Sequence, residues 1–439
     1  MGFLLMQLPP VAGLPLWGFA AAGCAVAVVA LLAGPALALP GRLLSGRAGA
    51  WLGLEGQLAL AQVRGSSSRL AVSVAALAVS LSLTIAIAIM VSSFRQTVVV
   101  WVAQSMGADL YARPAQPPRS TGAPAFSRAT VETVRSHPAV EAVEGYRSLD
   151  LPFRDRLIKL GTGDLPLLLE RPGRLALKTA GDRERLLRRA LEGEGVLVSE
   201  AFERRFDLGA GDEVQLETPH GPARFPIVAV FYDYSSDRGT LTMDQALFER
   251  WFGEANPTHL AIYTRAGFDP DEVRQELLRR TAGTRVMFFT NASLRAEVLR
   301  IFDATFAITW ALELIAILVA MAGVAATLLT LILDRREEIR LLRLAGAEPR
   351  QVRRTVWIEA GLLGAVSQLL GLAAGWVLSL LLIRVINPQS FGWTIQFHLP
   401  WGFLLGASLL TVAATAAAGW LPARQATRAG SGLNPPVRA

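Results

Sequence analysis

Long runs of apolar residues alternate with charged segments along this chain. A helix needs about 20 apolar residues to cross the hydrocarbon core of a bilayer, which is roughly 30 Å thick. The runs that reach this length are Leu16–Leu39, Leu70–Met90, the second half of Asn291–Leu333, Thr355–Ile386 and Trp401–Leu421. The pattern therefore predicts a membrane α-helical bundle of about five transmembrane helices.

Basic residues give this bundle an orientation. Arg42 and Arg47 follow the first run, Asp334–Arg354 separates the third run from the fourth, and Arg424 and Arg428 follow the last run. Short loops rich in arginine or lysine stay on the cytoplasmic side of a membrane. We therefore expect the N-terminus outside, the C-terminus inside, and a multi-pass protein of the cytoplasmic (inner) membrane.

Residues 109–290 have a different pattern, in which short apolar stretches are bounded by Gly, Pro or Asp. Such stretches are typical of strands, and we predict strands at Leu157–Leu160, Val196–Ser199, Glu213–Glu217, Ala223–Phe231 and Leu260–Thr264. Helices are expected at Phe126–His137, Asp182–Glu192, Glu200–Arg205, Met243–Phe252 and Asp269–Thr281. This irregular order indicates an extracytoplasmic α+β domain, preceded by a linker or loop that contains Pro114.

The composition agrees with a membrane protein that carries a water-soluble domain. Apolar residues make up 52% of the 439 residues, and the mean hydropathy is +0.38. The formal net charge of +7 is explained by the positive-inside bias, so nucleic acid is not expected as a partner. Because Cys24 is the single cysteine, an intrachain disulfide and a cysteine-based metal site are excluded.

Catalytic motifs are missing from the sequence. There is no G-x-x-x-x-G-K-[ST], so the chain cannot bind and hydrolyse ATP through a P-loop. The histidines lie far apart without the spacing of a zinc site; they are His137, His220, His259 and His398. There is no G-x-S-x-G either. We therefore expect that the chain is not an enzyme and holds neither a metal nor a cofactor.

The most charged segment, Asp334–Arg354, also has a helical pattern. Its apolar stripe consists of Ile339, Leu341, Leu342, Leu344 and Ala345, and Arg340 and Arg343 fall on the other side. Gly346 is expected to end this short helix, and Pro349 to begin the next one. Such a surface suits a cytoplasmic partner, although a solvated connector between two membrane helices is the simpler alternative.

Small residues are concentrated in the Thr355–Ile386 run. Gly371 and Gly375 form a G-x-x-x-G, and Gly361 and Gly364 precede them. Because small residues let helix backbones approach closely, we predict helix packing here, within the bundle or at a dimer interface. The alternative is that glycine is simply frequent in membrane helices.

An acidic residue, Glu359, lies just inside the same run. A carboxylate within a membrane helix is costly and usually has a partner or a role. Since Glu359 follows Arg353 and Arg354 by about one turn, we favour an interfacial ion pair over proton coupling. At the other end of the run, a short loop carries Trp393 and Trp401, which we interpret as an aromatic belt at the membrane surface.

The residues of the charged segment resemble a known family signature. E-I-R-L-L-R-L-A-G-A at Glu338–Ala347, followed by P-R-Q-V at Pro349–Val352, is similar to the signature of FtsX-like (MacB-type) ABC transporter permeases. Similar stretches occur in the same order along the chain; they are R-G-S-S-S-R at Arg64–Arg69, G-V-L-V-S-E-A at Gly195–Ala201, L-G-A-G-D-E-V at Leu208–Val214 and P-A-R-Q-A at Pro422–Ala426. The resemblance extends from Trp51 to the end of the chain.

Pattern and resemblance together divide the chain into eight parts. They are an N-terminal transmembrane helix (1–41), a cytoplasmic interfacial helix (42–69), a transmembrane helix with a stalk (70–108), an extracytoplasmic α+β domain of the MacB-like periplasmic core type (109–290), a second stalk and transmembrane helix (291–333), a cytoplasmic coupling helix (334–354), two transmembrane helices (355–422) and a cytoplasmic tail (423–439).

The resemblance implies that the chain is a permease subunit and that a cytoplasmic ABC ATPase dimer binds the ATP. This partner would dock on the coupling helix, at Glu338, Arg340, Leu341, Arg343, Leu344, Gly346 and Ala347. Its motion would pass along the stalk helices to the extracytoplasmic domain. The cargo expected for such a family is a lipid, lipoprotein, peptide or drug that is exported or extracted from the membrane.

The Leu16–Leu39 run is an addition to the four-span unit of this family. It resembles the linking span of long permeases with two tandem units, so we expect that the sequence corresponds to the C-terminal half of such a permease. The expected partners then include a first-half permease or a second permease chain, together with membrane lipids. A signal anchor is the alternative interpretation of Leu16–Leu39.

Two functional alternatives remain at this point. In the first, the same ATP-driven movement activates an extracytoplasmic hydrolase or reports a ligand, and nothing is transported. In the second, the chain is an enzyme whose outer domain is anchored in the membrane, and the missing catalytic motifs argue against it.

Overall fold

The structure, a computed structural model, describes residues 14–43, 53–65, 67–115, 124–171, 175–301 and 344–418, together with isolated positions elsewhere. The chain separates into two compact units. The first, here called the membrane unit, contains Met1–Phe94, Thr305–Gln389 and Ile395–Ala439. The second, here called the domain unit, contains Arg95–Ala304 together with the pentapeptide Ser390–Thr394.

The described residues form helices and strands with the following bounds. The helices are α1 (Leu16–Leu43), α2 (Gly53–Gly65), α3 (Ser67–Ser105), α4 (Arg128–Arg135), α5 (Leu165–Glu170), α6 (Arg183–Glu192), α7 (Glu200–Phe206), α8 (Gln245–Phe252), α9 (Pro270–Arg280), α10 (Pro349–Leu381), α11 (Asn387–Phe391) and α12 (Trp401–Ala418). The strands are β1 (Leu110–Pro114), β2 (Val140–Tyr146), β3 (Ser148–Phe153), β4 (Arg156–Gly163), β5 (Val196–Ser199), β6 (Glu213–Thr218), β7 (Gly221–Phe231), β8 (Thr240–Asp244), β9 (His259–Thr264) and β10 (Val286–Thr290).

Helices long and apolar enough to cross a membrane occur at three places in the described part of the chain. They are Leu16–Leu39 within α1, Leu70–Ser105 within α3, and Pro349–Phe391, which joins α10 to α11. The apolar helix Trp401–Ala413, within α12, is shorter. The remaining predicted run, in Asn291–Leu333, lies mostly outside the described residues.

The core of the membrane unit is apolar and is shared by four helices. Leu37 of α1, Val63 of α2, Leu77 of α3 and Leu363 of α10 are buried in one cluster. Lipid tails are as apolar as these side chains, so helices in a bilayer are held together by close packing rather than by a hydrophobic driving force. Close packing of α10 against α1, α2 and α3 therefore holds this described part of the unit together.

Helix α10 does not end where the sequence suggested. The predicted run ended at Ile386, but Leu382–Ile386 form a π-turn and α11 continues to Phe391. The backbone N–H of Asn387 donates to the carbonyl of Leu382, five residues earlier. A proline inside a helix removes a donor and clashes with the preceding turn. The wider turn just before Pro388 is consistent with relief of this clash, so the helical path continues.

The domain unit is built on two sheets. The first has four antiparallel strands in the order β10-β1-β9-β2. The second has six strands in the order β3-β4-β8-β5-β7-β6, with the pairs β4/β8 and β5/β7 parallel and the others antiparallel. This mixed arrangement is the α+β class that the sequence pattern predicted.

Each sheet buries apolar side chains under helices. On the larger sheet, Phe202 and Phe206 of α7 and Phe248 of α8 pack against strand residues such as Leu241 and Phe225. Leu187 of α6 belongs to a second cluster with Leu197 and Ala229 of the same sheet. On the smaller sheet, α4 and α9 cover the cluster that contains Leu110 and Ile262.

Helix ends in this unit follow their sequence signals closely. Ser127, Asp182 and Asp269 are N-caps whose side chains accept a backbone N–H, as short polar side chains do at helix starts. The helix predicted at Met243–Phe252 begins later, because Met243 belongs to β8 and Asp244 is the N-cap of α8.

Several strands were not predicted. They are Leu110–Pro114, Val140–Tyr146, Ser148–Phe153, Thr240–Asp244 and Val286–Thr290. The first was interpreted as the beginning of a Pro-rich loop. Pro114 is tolerated because it ends the strand, beyond the last residue that pairs with β9.

Candidate functional site

The described part of the predicted coupling helix exposes two leucines. Leu341 is 65% exposed and Leu344 is 67% exposed, and residues three apart lie on the same face of a helix. The backbone N–H of Ala345 donates to the carbonyl of Leu341 at 2.9 Å, which is a helical hydrogen bond. Glu338, Arg340 and Arg343 lie outside the described residues. Their proposed role in docking stays a prediction.

A defined turn follows these leucines. Gly346 has a φ of 101°, a left-handed conformation that glycine adopts without strain. Pro349 is the first residue of α10, where its missing N–H is not needed. The backbone N–H of Glu348 donates to Oε1 of Gln351 at 2.9 Å, half of a capping box. The turn therefore sets where the exposed leucines end and the long helix begins.

Two of the predicted packing glycines lie directly against α3. A Cβ on Gly371 would lie 2.7 Å from Cβ of Leu81, and one on Gly375 would lie 2.7 Å from Cβ of Ile85. These distances are below any normal contact, so only glycine fits there. Gly361 has no atom within 4 Å of such a Cβ, and Gly364 is buried.

Polar side chains are also buried in the membrane unit. Glu359 of α10 is 4% exposed. Arg354 lies 3.9 Å from Oε1 of Glu55 of α2, and the proposed pair with Glu359 stays a prediction. Deeper along the helix, Nε2 of Gln368 donates to Oγ of Ser408 of α12 at 2.7 Å. Such hydrogen bonds between helices are a recurrent feature of membrane bundles.

The domain unit contains a buried carboxylate that sequence reasoning missed. Glu200, the first residue of α7, is 1% exposed. Its Oε1 lies 3.5 Å from Nζ of Lys178 and accepts hydrogen bonds from the guanidinium of Arg204 at 3.1 and 3.2 Å. Its Oε2 accepts the backbone N–H of Thr394 at 3.0 Å and the Thr394 hydroxyl at 3.1 Å. The buried charge is therefore compensated on both oxygens.

Aromatic residues surround the same contact. The hydroxyl of Tyr234 donates to the carbonyl of Thr394 at 2.9 Å, and the Tyr234 ring packs edge-on against Trp101 and Trp393. Burial, and secondarily the charge of Glu200, raise the pKa of Tyr234, so its hydroxyl keeps the proton that it donates. Trp393 is 9% exposed inside the domain unit, so its interpretation as part of an aromatic belt was wrong.

Metal chemistry finds no support in the residues that the structure describes. Within them, no group of three or more His, Cys, Asp or Glu side chains is arranged to hold a metal ion.

Two family models match successive parts of the chain. The MacB-like periplasmic core domain matches residues 70–280, and the FtsX-like permease C-terminal matches residues 310–430. A solved structure, the extracellular domain of the noncanonic ABC-type transporter YknZ from Gram-positive bacteria, aligns with a TM-score of 0.30 and 12% identity over 42% of this chain and 99% of that domain. At that score, the assignment of the domain rests on the family model.

Named relatives give the same class of protein. An uncharacterized ABC transporter permease protein of Mycobacterium tuberculosis is 33% identical over 85% of this chain and 44% of its own length. The macrolide export ATP-binding/permease protein MacB of Shigella flexneri is 32% identical over 41% of this chain and 27% of its own length. The pyoverdine export ATP-binding/permease protein PvdT of Pseudomonas fluorescens is 26% identical over 46% of this chain and 32% of its own length. The chain spans less than half the length of each of these relatives.

The apolar helices and the extracytoplasmic core domain together define a membrane permease. More specifically, the chain belongs to the FtsX-like, MacB-type family of ABC transporter permeases. The resemblance seen in the sequence around Glu338–Ala347 is thereby confirmed at the level of the family.

Proposed function

We propose that this chain is a permease subunit that couples ATP hydrolysis by a separate cytoplasmic ABC ATPase to movement of its extracytoplasmic domain. The observation that supports the proposal best is the pair of exposed leucines, Leu341 and Leu344, next to the turn at Gly346. Exposed apolar side chains on a short helix between membrane segments suit burial by a partner.

The names of two relatives support an ABC ATPase as the source of energy. No G-x-x-x-x-G-K-[ST] occurs in the sequence, and two relatives are named as joint ATP-binding and permease proteins. In this proposal an ATPase dimer docks on the segment from Glu338 to Ala347, and the cofactor ATP is bound by that partner. A second permease chain, or a first-half permease, completes the transporter, which spans the cytoplasmic membrane several times and contacts its lipids.

The proposed reaction is export, or extraction from the membrane, of a lipid, lipoprotein, peptide or drug. The names of two relatives, which refer to export of a macrolide and of pyoverdine, support export as the class of activity. In the regulatory alternative, the same movement activates an extracytoplasmic hydrolase or reports a ligand. A purified, reconstituted complex that moves no candidate cargo but stimulates a hydrolase would favour that alternative.

Association with the ATPase tests the docking site. A double substitution of Leu341→Asp and Leu344→Asp should abolish co-purification of the ATPase from the native host, because charge replaces the apolar contact. Reversing charge at Arg340→Glu and Arg343→Glu should do the same.

The matched control is Leu157→Asp, which alters an exposed leucine of the domain unit. This variant should retain the ATPase. Equal membrane insertion of all variants excludes misfolding as the cause. If the ATPase co-purifies equally with the Leu341/Leu344 variant and with wild type, the proposed docking site is wrong.

A further inference from the structure

The pentapeptide Ser390–Thr394 has an unusual position in the chain. It consists of the last two residues of α11 and the three residues that follow, and it belongs to the domain unit, whereas the first three residues of α11 and all of α12 belong to the membrane unit. It also contains the C-terminal end of the helical path that begins at Pro349, a few residues after the exposed Leu344, and ends at Phe391. A displacement of the Pro349 end would therefore reach this peptide along one helical path.

Thr394 is held at both of its backbone polar groups. Its N–H donates to the Glu200 carboxylate at 3.0 Å, and its carbonyl accepts the Tyr234 hydroxyl at 2.9 Å. Its hydroxyl makes a further bond to Glu200 at 3.1 Å. Hydrogen bonds to a buried charge are stronger than bonds between neutral groups. Breaking them leaves the buried carboxylate without these hydrogen-bond partners, which is energetically costly.

Glu200 itself is held rigidly. The negative charge of its carboxylate is compensated by Lys178 and Arg204. Nζ of Lys178 also lies 2.5 Å from Oε2 of Glu203. Strand β5 ends at Ser199, whose hydroxyl caps α7 and accepts the backbone N–H of Thr240 at 2.9 Å. A force on Thr394 is therefore applied at the C-terminal end of β5, an interior strand of the six-stranded sheet that pairs with β7 and β8.

Gly392 packs closely against α7, in addition to the polar contact between Thr394 and Glu200. Gly392 has a φ of 80°, and a Cβ there would lie 3.0 Å from the Cα of Ala201. The backbone of the peptide thus packs directly on the first turn of α7. Next to it, the Phe391 and Trp393 rings stack with their centroids 5.6 Å apart.

We propose that Ser390–Thr394 is a permanent mechanical attachment, through which the helical path from Pro349 to Phe391 pulls on α7 at Glu200. This inference rests on the proposed function, because it assumes that the ATPase moves the segment before Pro349. It adds to the stalk helices a further route from the cytoplasmic segment to the domain, and it assigns Glu200, Thr394, Gly392 and Tyr234 as positioning residues of that route.

Hydrogen exchange in the purified full chain tests the attachment without any ATPase. Gly392→Ala forces a methyl group against Ala201 and should raise the exchange rate of residues 390–394 about tenfold, the effect of losing roughly one strong contact. Thr394→Val removes only the hydroxyl bond to Glu200 and should give a smaller increase.

The matched control for Gly392→Ala is Gly253→Ala. Gly253 has a φ of 87°, but no atom lies within 4 Å of a Cβ built there. Both substitutions place an alanine at a positive φ, and only Gly392→Ala adds the contact with α7. Thr133→Val, at a hydroxyl that bonds only within α4, controls for Thr394→Val. Unchanged exchange at 390–394 in the Gly392→Ala chain would show that the peptide is not held by these contacts and would overturn the proposal.

A second arm measures transmission in the complex with the co-purified ATPase. Adding ATP should change the exchange of residues 200–206 in wild type and in Gly253→Ala, and Gly392→Ala should reduce this change by at least half. A full ATP-dependent change in Gly392→Ala, with faster exchange at 390–394, would also overturn the proposal.

The two possible failures are distinguishable. If no ATPase associates with the wild-type chain, the proposed function fails, and the exchange of residues 390–394 still decides whether the attachment exists. If the ATPase associates and hydrolyses ATP normally in every variant, any loss of the response at 200–206 belongs to the attachment alone.

Discussion

Gly375 of α10 leaves no room for a side chain above Ile85 of α3. A Cβ on Gly375 would lie 2.7 Å from Cβ of Ile85 and 3.0 Å from the carbonyl oxygen of Ser82. Neither atom is the flexible end of a side chain. The two helices can therefore approach this closely only because residue 375 is glycine.

Gly375→Ala should consequently destabilise the membrane unit. Extra atoms in a well-packed contact cost typically about 1–3 kcal/mol, which exceeds the roughly 1 kcal/mol that alanine gains over glycine in a helix. The measurement is the thermal unfolding temperature of the purified chain in detergent, which should fall. Gly371→Ala should behave similarly, since its Cβ would meet Cβ of Leu81.

The control for this prediction is Gly361→Ala in the same helix. No atom lies within 4 Å of a Cβ built on Gly361, so this substitution should leave the unfolding temperature unchanged or raise it. If Gly361→Ala and Gly375→Ala lowered the unfolding temperature equally, the destabilisation would come from the substitution within the helix and not from its contact with α3.

The hydrogen bond between Gln368 and Ser408 should contribute little to stability. The bond is short, at 2.7 Å, but interhelical hydrogen bonds in membranes contribute on average about 0.6 kcal/mol. We expect Ser408→Ala to lower the free energy of unfolding by less than about 1 kcal/mol, as measured by denaturation in detergent. Ser379→Ala is the control, because its hydroxyl donates to the carbonyl of Trp376 in its own helix. A loss of several kcal/mol at Ser408 would contradict this estimate.

Features that depend on residues close together in the chain are predictable from the sequence. The helices predicted at Phe126–His137, Asp182–Glu192 and Asp269–Thr281 and the start of α10 at Pro349 rest on local signals, and the structure has all four. The strand at Leu110–Pro114 was missed because its partners, β9 and β10, lie about 150 residues or more away and its own residues resemble a loop.

The polar contact at Glu200 could not have been predicted for the same reason. Glu200 is the first residue of an ordinary short helix, and its partner Thr394 is separated from it by 194 residues. Nothing in either local sequence indicates a buried charge. Trp393 was misinterpreted because a tryptophan beside a membrane helix usually lies at the bilayer surface, whereas here it packs against Tyr234.

Acid should weaken the domain unit through Glu276 of α9. Hydrogen bonds from Arg280, and secondarily from His137, hold the pKa of Glu276 below its usual value of 4.5. The folded state therefore binds this proton less readily than the unfolded state. The contribution of Glu276 is fully present above about pH 4.5 and is lost as the pH falls through the lower, folded-state pKa.

The unfolding temperature of the purified chain, measured between pH 7 and pH 3, checks this prediction. Glu276→Gln should lower stability at pH 7 by a small amount and should flatten the decline below pH 4.5. Gln275→Ala, at an exposed non-titrating position of the same helix, is the control and should leave the acid decline unaltered. An unaltered acid decline in the Glu276→Gln chain would rule out this residue as its source.

The central claim is that the segment before Pro349 binds the ATPase, and site-specific photo-crosslinking tests it most directly. A photoreactive phenylalanine derivative placed at Leu344, in cells of the native host, should give an adduct that contains the ATPase chain. The same derivative at Leu157 of the domain unit should give none. An adduct absent at Leu344, or equally abundant at Leu157, would contradict the account.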